Sequence, residues 1–177
     1  MPAGTLEIFV KLDGIDGEST VRGHENETIV LSYEQSIDHP APPLVGGGAA
    51  AGRPAFSGVR LRKPVDKGSI PLLLACASGS HIRDARFTFR RAGTGPDFYK
   101  VTLDEVLVTH IVQRAGVGAQ YPLGFDTLAT GADSAGFLDE VTLSYAKIRW
   151  EYQPVSPSGV PAPSVKGGWD LKLNKKI

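Results

Sequence analysis

The chain has 177 residues, 19 Lys plus Arg against 19 Asp plus Glu, and one cysteine. A domain of that length buries roughly 70% of its unfolded surface, so one core needs neither disulfide nor metal. Zero net charge offers no global field for nucleic acid or membrane, one cysteine makes no internal disulfide or Cys-based zinc site, and no run approaches the roughly 20 apolar residues of a membrane span.

The opening MPAGTLEIFVKLDG lacks the basic start and apolar run of a signal peptide. The expectation is synthesis in the cytosol and no export by the general secretory route. Residues 6–12 alternate, with Leu6, Ile8, Val10 and Leu12 on one face and Glu7 and Lys11 on the other, as a half-buried strand requires. Asp13-Gly14 and Asp16-Gly17 mark turns. A second strand over 28–35 places Ile29, Leu31 and Tyr33 on one face and Val30, Ser32 and the more solvated Glu34 on the other. Residues 37–55, with Pro40, Pro42, Pro43 and the run GGGAAAG, read as a long protruding loop, and loops of that length in compact domains serve contacts.

A third strand follows at 56–62. One helix is predicted over 66–78, capped by Asp66 or Ser69, tolerating Pro71 in its first turn and stopped by Gly79. Its apolar stripe is Leu72, Leu73, Cys76 and Ala77, and Cys76 is expected to be a buried, reduced thiol. Strands resume at 85–91 and 98–112. The stretch 113–137 is loop-like, and a last long strand covers 139–152. There the apolar positions change parity near Tyr145, from Val141, Leu143 and Tyr145 to Ala146, Ile148 and Trp150. Such a switch implies a bulge or a strand that leaves one sheet for another. A linker at 154–168 precedes a short terminal strand at 169–173, and the whole of 1–177 reads as a single domain.

Motifs with chemistry in them are weak. GGAAAGRP has phosphate-loop glycine spacing but lacks the Lys-Ser/Thr and the helix that such a loop needs. His24, His39, His81 and His110 show no metal-ligand spacing and read as surface or polar-network residues. Ser78, Ser80 and His81 lack a nucleophile elbow. Asp104-Glu105 and Asp139-Glu140 are strand neighbours whose carboxylates point to opposite faces, so they read as solvated charges and not as acid–base pairs. Arg83, Arg86, Arg90 and Arg91 interleave with Phe87 and Phe89, and core aromatics with acid-neutralised arginines is the favoured reading over nucleic-acid binding. Neither an enzyme nor a cofactor or metal site is expected. Long alternating strands such as 98–112 leave edges that a soluble protein must close, cover or use.

Taken in order, KPVDKGSIPLLLACASGSHIRDARFTFRRAG (63–93), FYKVTLDEVLVTHI (98–111), EVTLSYAKIRWEYQP (140–154) and GGWDLKLN (167–174) resemble successive blocks of the haemolysin-coregulated protein family, the tube proteins of type VI secretion. IFVKLDGIDGEST (8–20) is similar to that family's opening strand and turn. The resemblance implies a mainly β fold, a β-barrel of two packed antiparallel sheets with one flanking helix, assembling into a hexameric ring. It also implies rings stacked into a tube, contact with spike and sheath components, effector proteins carried in the lumen, and release through the type VI route, without nucleic acid or membrane insertion. By position, Glu34 matches a lumen-facing residue. The loop matches a ring-stacking element, with Pro42, Pro43, Leu44, Val45, Gly46, Gly47, Gly48 and Arg53 as contacts. The helix would pack towards a neighbour through Leu72, Leu73 and Leu74. The rival reading is a monomeric β-barrel that binds a small ligand, which needs an interior cavity.

Overall fold

The computed structural model describes residues 6–39, 52–91, 95–116, 136–154 and 162–177. Within them the chain forms β1 (Leu6–Leu12), β2 (Thr28–Val30), β3 (Ser32–Glu34), β4 (Ile37–Asp38), β5 (Ala55–Phe56), β6 (Val59–Pro64) and the helix α1 (Ser69–Ser78). It continues with β7 (His81–Arg91), β8 (Asp97–Gly116), β9 (Gly136–Ser144), β10 (Lys147–Tyr152), β11 (Val165–Asp170) and β12 (Lys175–Lys176). The predicted linker therefore ends before Val165, where β11 begins. The predicted loop is rooted in a ladder of its own, β4 with β5.

One path of antiparallel pairs runs β12–β11–β10–β8–β7–β1–β2, and a branch leaves β8 through β9 and β6 to β3. Leu31 alone separates β2 from β3, so the two arms meet in one stretch of chain. The two packed layers expected from the sequence are these two arms, and they enclose one core. Ile8, Val10, Leu72, Phe87, Val101, Leu103, Val141, Leu143 and Ile148 are buried in it together. Each such side chain contributes roughly 1.5–3 kcal/mol on burial, which is why the fold holds without cross-links.

Both arms depend on β8. Its first half lies between β7 and β10, and its second half pairs with β9. Between the halves Glu105 has φ 52, a left-handed conformation that disfavours residues with a Cβ. Opposite this bend β9 gives way to β10. Tyr145 and Ala146 sit buried at the break, and the Ala146 N–H donates to the Asp104 carbonyl at 3.0 Å. The parity switch predicted near Tyr145 is this passage from one arm of the ten-stranded sheet to the other.

A similar switch was not foreseen at Leu31. Thr28 and Val30 are buried and Ile29 and Leu31 are exposed, the reverse of the expected faces. Beyond Leu31 the strand changes partner from β1 to β6, and Tyr33 turns inward to pack edge-on to Phe87 and Phe89 at 5.1 Å. Glu34 stays outward, as expected.

The helix begins three residues later than predicted. Gly68 is its N-cap and, lacking a side chain, makes no capping bond; Ser69 turns its hydroxyl to buried partners described below. Gly79 ends it at φ 66, and the amides of Gly79 and Ser80 both donate to the Ala75 carbonyl. Leu72 and Ala75 form the buried stripe; Leu73 and Cys76 are half-buried and Ala77 is exposed, which corrects the expected stripe and the expected burial of the thiol.

Candidate functional site

The outward face of the branch carries Glu34. Registers place Glu34 opposite Arg60, Arg60 opposite Thr142, and Thr142 opposite His110, so four residues distant in sequence form one row across β3, β6, β9 and β8. Val59, Leu61, Val141 and Leu143, their strand neighbours, are buried, which fixes the row on the outer side. The Glu34 and Arg60 side chains are 53% and 49% exposed and lie 3.7 Å apart, Oε2 to Nη1. In the adjoining row Arg62 approaches Glu140 at 3.5 Å. Alternation gave Glu34 its face; its companions depend on register, which no local pattern carries.

At the loop base, β4 and β5 pair Ile37 with Phe56 and Asp38 with Ala55. The Ser57 amide donates to the Ser36 carbonyl at 3.0 Å. Phe56 stacks at 6.2 Å on Trp169, and Arg53 donates to the Leu171 carbonyl, so the C-terminal end of the loop is moored to β11 and the residues after it. Arg53 is exposed. Pro42, Pro43, Leu44, Val45, Gly46, Gly47 and Gly48 lie outside the described residues. A cavity of about 160 Å³ beside Arg53 is lined by Pro54, Phe56, Trp169, Leu171 and Asn174. That is about half the smallest volume that takes a drug-sized ligand.

On α1 the three subunit-contact candidates separate. Leu72 is 1% exposed and belongs to the chain's own core, so it is not available to a neighbour; this corrects its assignment. Leu73 is half-buried, and Leu74 is 64% exposed. Ile70, which the sequence reading passed over, is 62% exposed beside it.

Under these surfaces lies a buried charge network. Lys63 and Asp139 face each other across β6 and β9, both fully buried, with Nζ 2.9 Å from Oδ2. Lys63 also reaches Asp66 at 2.8 Å and donates to the Pro64 carbonyl and the Ser69 hydroxyl at 2.9 and 2.8 Å. Asp139 accepts from Ser69 and, at 2.9 Å, from Gln113 of β8. Burial pushes the Asp139 carboxyl up, but hydrogen bonds from Ser69, Gln113 and Lys63 and the Lys63 charge outweigh it and hold it below the ordinary carboxylate range. The network ties the start of α1 to three strands. The reading of Asp139 as solvated is thereby corrected. The opposite-face prediction holds, since Glu140 is outside with Arg62.

A second unforeseen cluster fixes the turn between β1 and β2. His24 is buried, stacks parallel on Phe9 at 4.3 Å, and contacts Glu27 at 2.9 Å and Asp97 at 3.3 Å. It is a polar-network histidine, as the sequence reading allowed. Three of the four arginines of β7 find acids within the chain, Arg83 with Asp13, Arg86 with Asp84 and Arg90 with Glu7, while Phe87 and Phe89 enter the core.

These features define a class: among the described residues, a β building block with one apolar core, a two-stranded ladder moored to β11 and apolar residues left uncovered on its helix. A model of the family described as "Type VI secretion system effector, Hcp" matches residues 9–152. The chain belongs to that family and is a type VI secretion tube subunit. It is 31% identical over 172 residues to Protein hcp1 of Pseudomonas aeruginosa, covering 96% of this chain and 97% of that protein. Among solved structures, Hcp1 from Salmonella typhimurium is 27% identical with a TM-score of 0.73, over 97% of this chain and 99% of the other. A type six secretion system protein at 22% identity has the same fold, with a TM-score of 0.83 over 98% and 100% of the two chains.

Proposed function

We propose that six copies close into a ring, that rings stack through the extended loop into the inner tube of the secretion apparatus, and that the lumen carries small effector proteins. The role is structural, without chemistry of its own, and the tube is released with its cargo after contact with spike and sheath components. Glu34 faces that cargo. The family match along most of the chain carries this reading, and the uncovered Ile70 and Leu74 on a helix with no charged residue give it local support. Among the described residues one apolar cluster spans both arms, which counts against the small-ligand rival, because a barrel binder needs an internal cavity.

Light scattering coupled to size-exclusion chromatography over a range of concentrations tests the assembly. The expected mass is that of six 18.8 kDa chains, about 113 kDa, with rings in negative-stain images. A stable monomer at every concentration sinks the ring. Removing residues 42–48 should leave rings but shorten stacks, and unchanged stack lengths would remove the loop from the contact. For cargo, equal recovery of a cognate effector by wild type and by Glu34→Gln, with rings intact in both, would count against the lumen assignment.

A further inference from the structure

The arginines on the outer sheet faces differ in how far their donors are committed. Arg83 bonds Asp13 at 2.9 Å, Arg86 bonds Asp84 at 2.9 Å and Arg149 reaches Asp104 at 2.7 Å. Arg60 has Glu34 at 3.7 Å, an ion pair too long to be a hydrogen bond. Among the described residues its guanidinium donors are therefore uncommitted, although the side chain is half in solvent. Thr142 and the exposed His110 continue the same row.

We propose that Arg60 is the recognition residue of this face and that it takes a carboxylate from an acidic segment of the carried protein. This rests on the reading above that the Glu34 face turns to the lumen. A guanidinium presents N–H donors in a planar fork that matches a carboxylate on two points, which a looser, solvent-exposed pair with Glu34 does not use. Glu34 is then the competitor: an incoming carboxylate must displace it, and an exposed ion pair at that distance resists only weakly. His110 lies two strands from Arg60, roughly 10 Å at the usual strand spacing. Its imidazole offers a second donor at that separation. In a polyproline II segment residues three apart lie on the same side about 9 Å apart, so a run of acidic residues fits the row better than a lone carboxylate.

Fluorescence anisotropy with a labelled octaglutamate peptide, and labelled octalysine as control, tests this on the full chain. Wild type should bind octaglutamate, and Arg60→Gln should weaken it by about tenfold, the loss of one charge-assisted pair. Glu34→Gln should tighten it several-fold by removing the competitor. Octalysine should not distinguish wild type from Arg60→Gln. Both substituted side chains are half exposed, and unchanged melting temperatures would show that the fold is kept. Octaglutamate binding that ignores Arg60→Gln, or that is missing from wild type and Glu34→Gln alike, overturns the proposal. The face belongs to one protomer, so the mass of the same samples separates the two ideas. A binding monomer refutes the ring and leaves Arg60 in place, whereas a ring that does not bind refutes Arg60 alone.

Discussion

Replacing Lys63 by Met would strip the buried network of its cation while keeping the length of the side chain. Lys63 touches four oxygens within 2.9 Å and is fully shielded from water, so no solvent replaces it. Asp139 would keep Ser69 and Gln113 as donors but would hold a buried negative charge with no lysine beside it. Breaking a buried pair from one side costs about 3–5 kcal/mol. Domains have about 5–15 kcal/mol in total, so Lys63→Met should lower the melting temperature by roughly 6–20 °C at a size where each kcal/mol moves it by 2–4 °C. Urea unfolding followed by tryptophan fluorescence, at one fixed subunit concentration because assembly adds stability, measures the loss. The double variant Lys63→Met with Asp139→Leu should recover much of it, because no isolated charge remains. A pH series adds a second reading. A carboxyl held below its ordinary range contributes stability that is present above that range and lost as pH falls through the folded value. In Lys63→Met the Asp139 carboxyl loses part of what holds it down, so its contribution should fade at a higher pH than in wild type. A Lys63→Met protein within about 1 kcal/mol of wild type would refute this account of the network.

Gly79→Ala should cost about 1–2 kcal/mol in a thermal melt, all of it backbone strain, since a Cβ there meets nothing within 4 Å and φ is 66. At Glu105, Gly should be more stable than Ala by about 1 kcal/mol, because both lose the Lys172 contact but only Gly fits the left-handed bend freely. Tyr145→Phe removes the 3.0 Å bond from its hydroxyl to the Ser57 carbonyl and should cost about 1 kcal/mol by chemical denaturation. Burial pushes the Tyr145 phenol up to about 12, and burial with two neighbouring tyrosines raises Tyr33 as well. Raised values favour the folded state below the ordinary tyrosine range near 10 and lose that contribution as pH climbs through the folded values. Burial raises Tyr99 too, so phenolate absorbance should show three tyrosines titrating late, Tyr33, Tyr99 and Tyr145, and stability should decline above about pH 10.

Much of the fold was legible where one residue's environment follows from its neighbours. Alternation placed β1, β7 and the strands around Tyr145, and Gly79 marked the helix end because glycine takes the left-handed conformation without the penalty a Cβ imposes. Failures arose where two distant segments decide the outcome. Phe9 reads as a residue on the polar face of β1 until His24 folds over it. Lys63 follows the inward parity of Val59 and Leu61, but a lysine at an inward position becomes credible only with Asp139 opposite it, 76 residues away. Leu31 reverses two faces because a change of pairing partner leaves no mark in composition. For the site, Glu34 was reachable from its exposed face and from the family resemblance, whereas Arg60 and His110 joined it only through register. Leu72 was on the apolar stripe and yet grouped with Leu74 as a contact for a neighbour, and a rotation of the helix by two residues separates core from surface.

Strand β1 pairs on one side with β2, where Ile8 meets Val30, and on its other side with β7, where Leu6 meets Arg91. Synthesis of the roughly 85 residues between them takes about 4–17 s at 5–20 residues per second. Throughout that time one edge of β1, with Ile8, Phe9, Val10 and Leu12, waits without its partner. Slow closure of long-range pairs is the kinetic consequence of this topology, and a nascent strand edge is where it is most exposed to mispairing. Ribosome-stalled chains should keep β1 open to protease until residue 91 has left the exit tunnel, and protection before that point would contradict the order. A protein made to polymerise through its surfaces is thus, for its first seconds, at risk of polymerising through its own first strand.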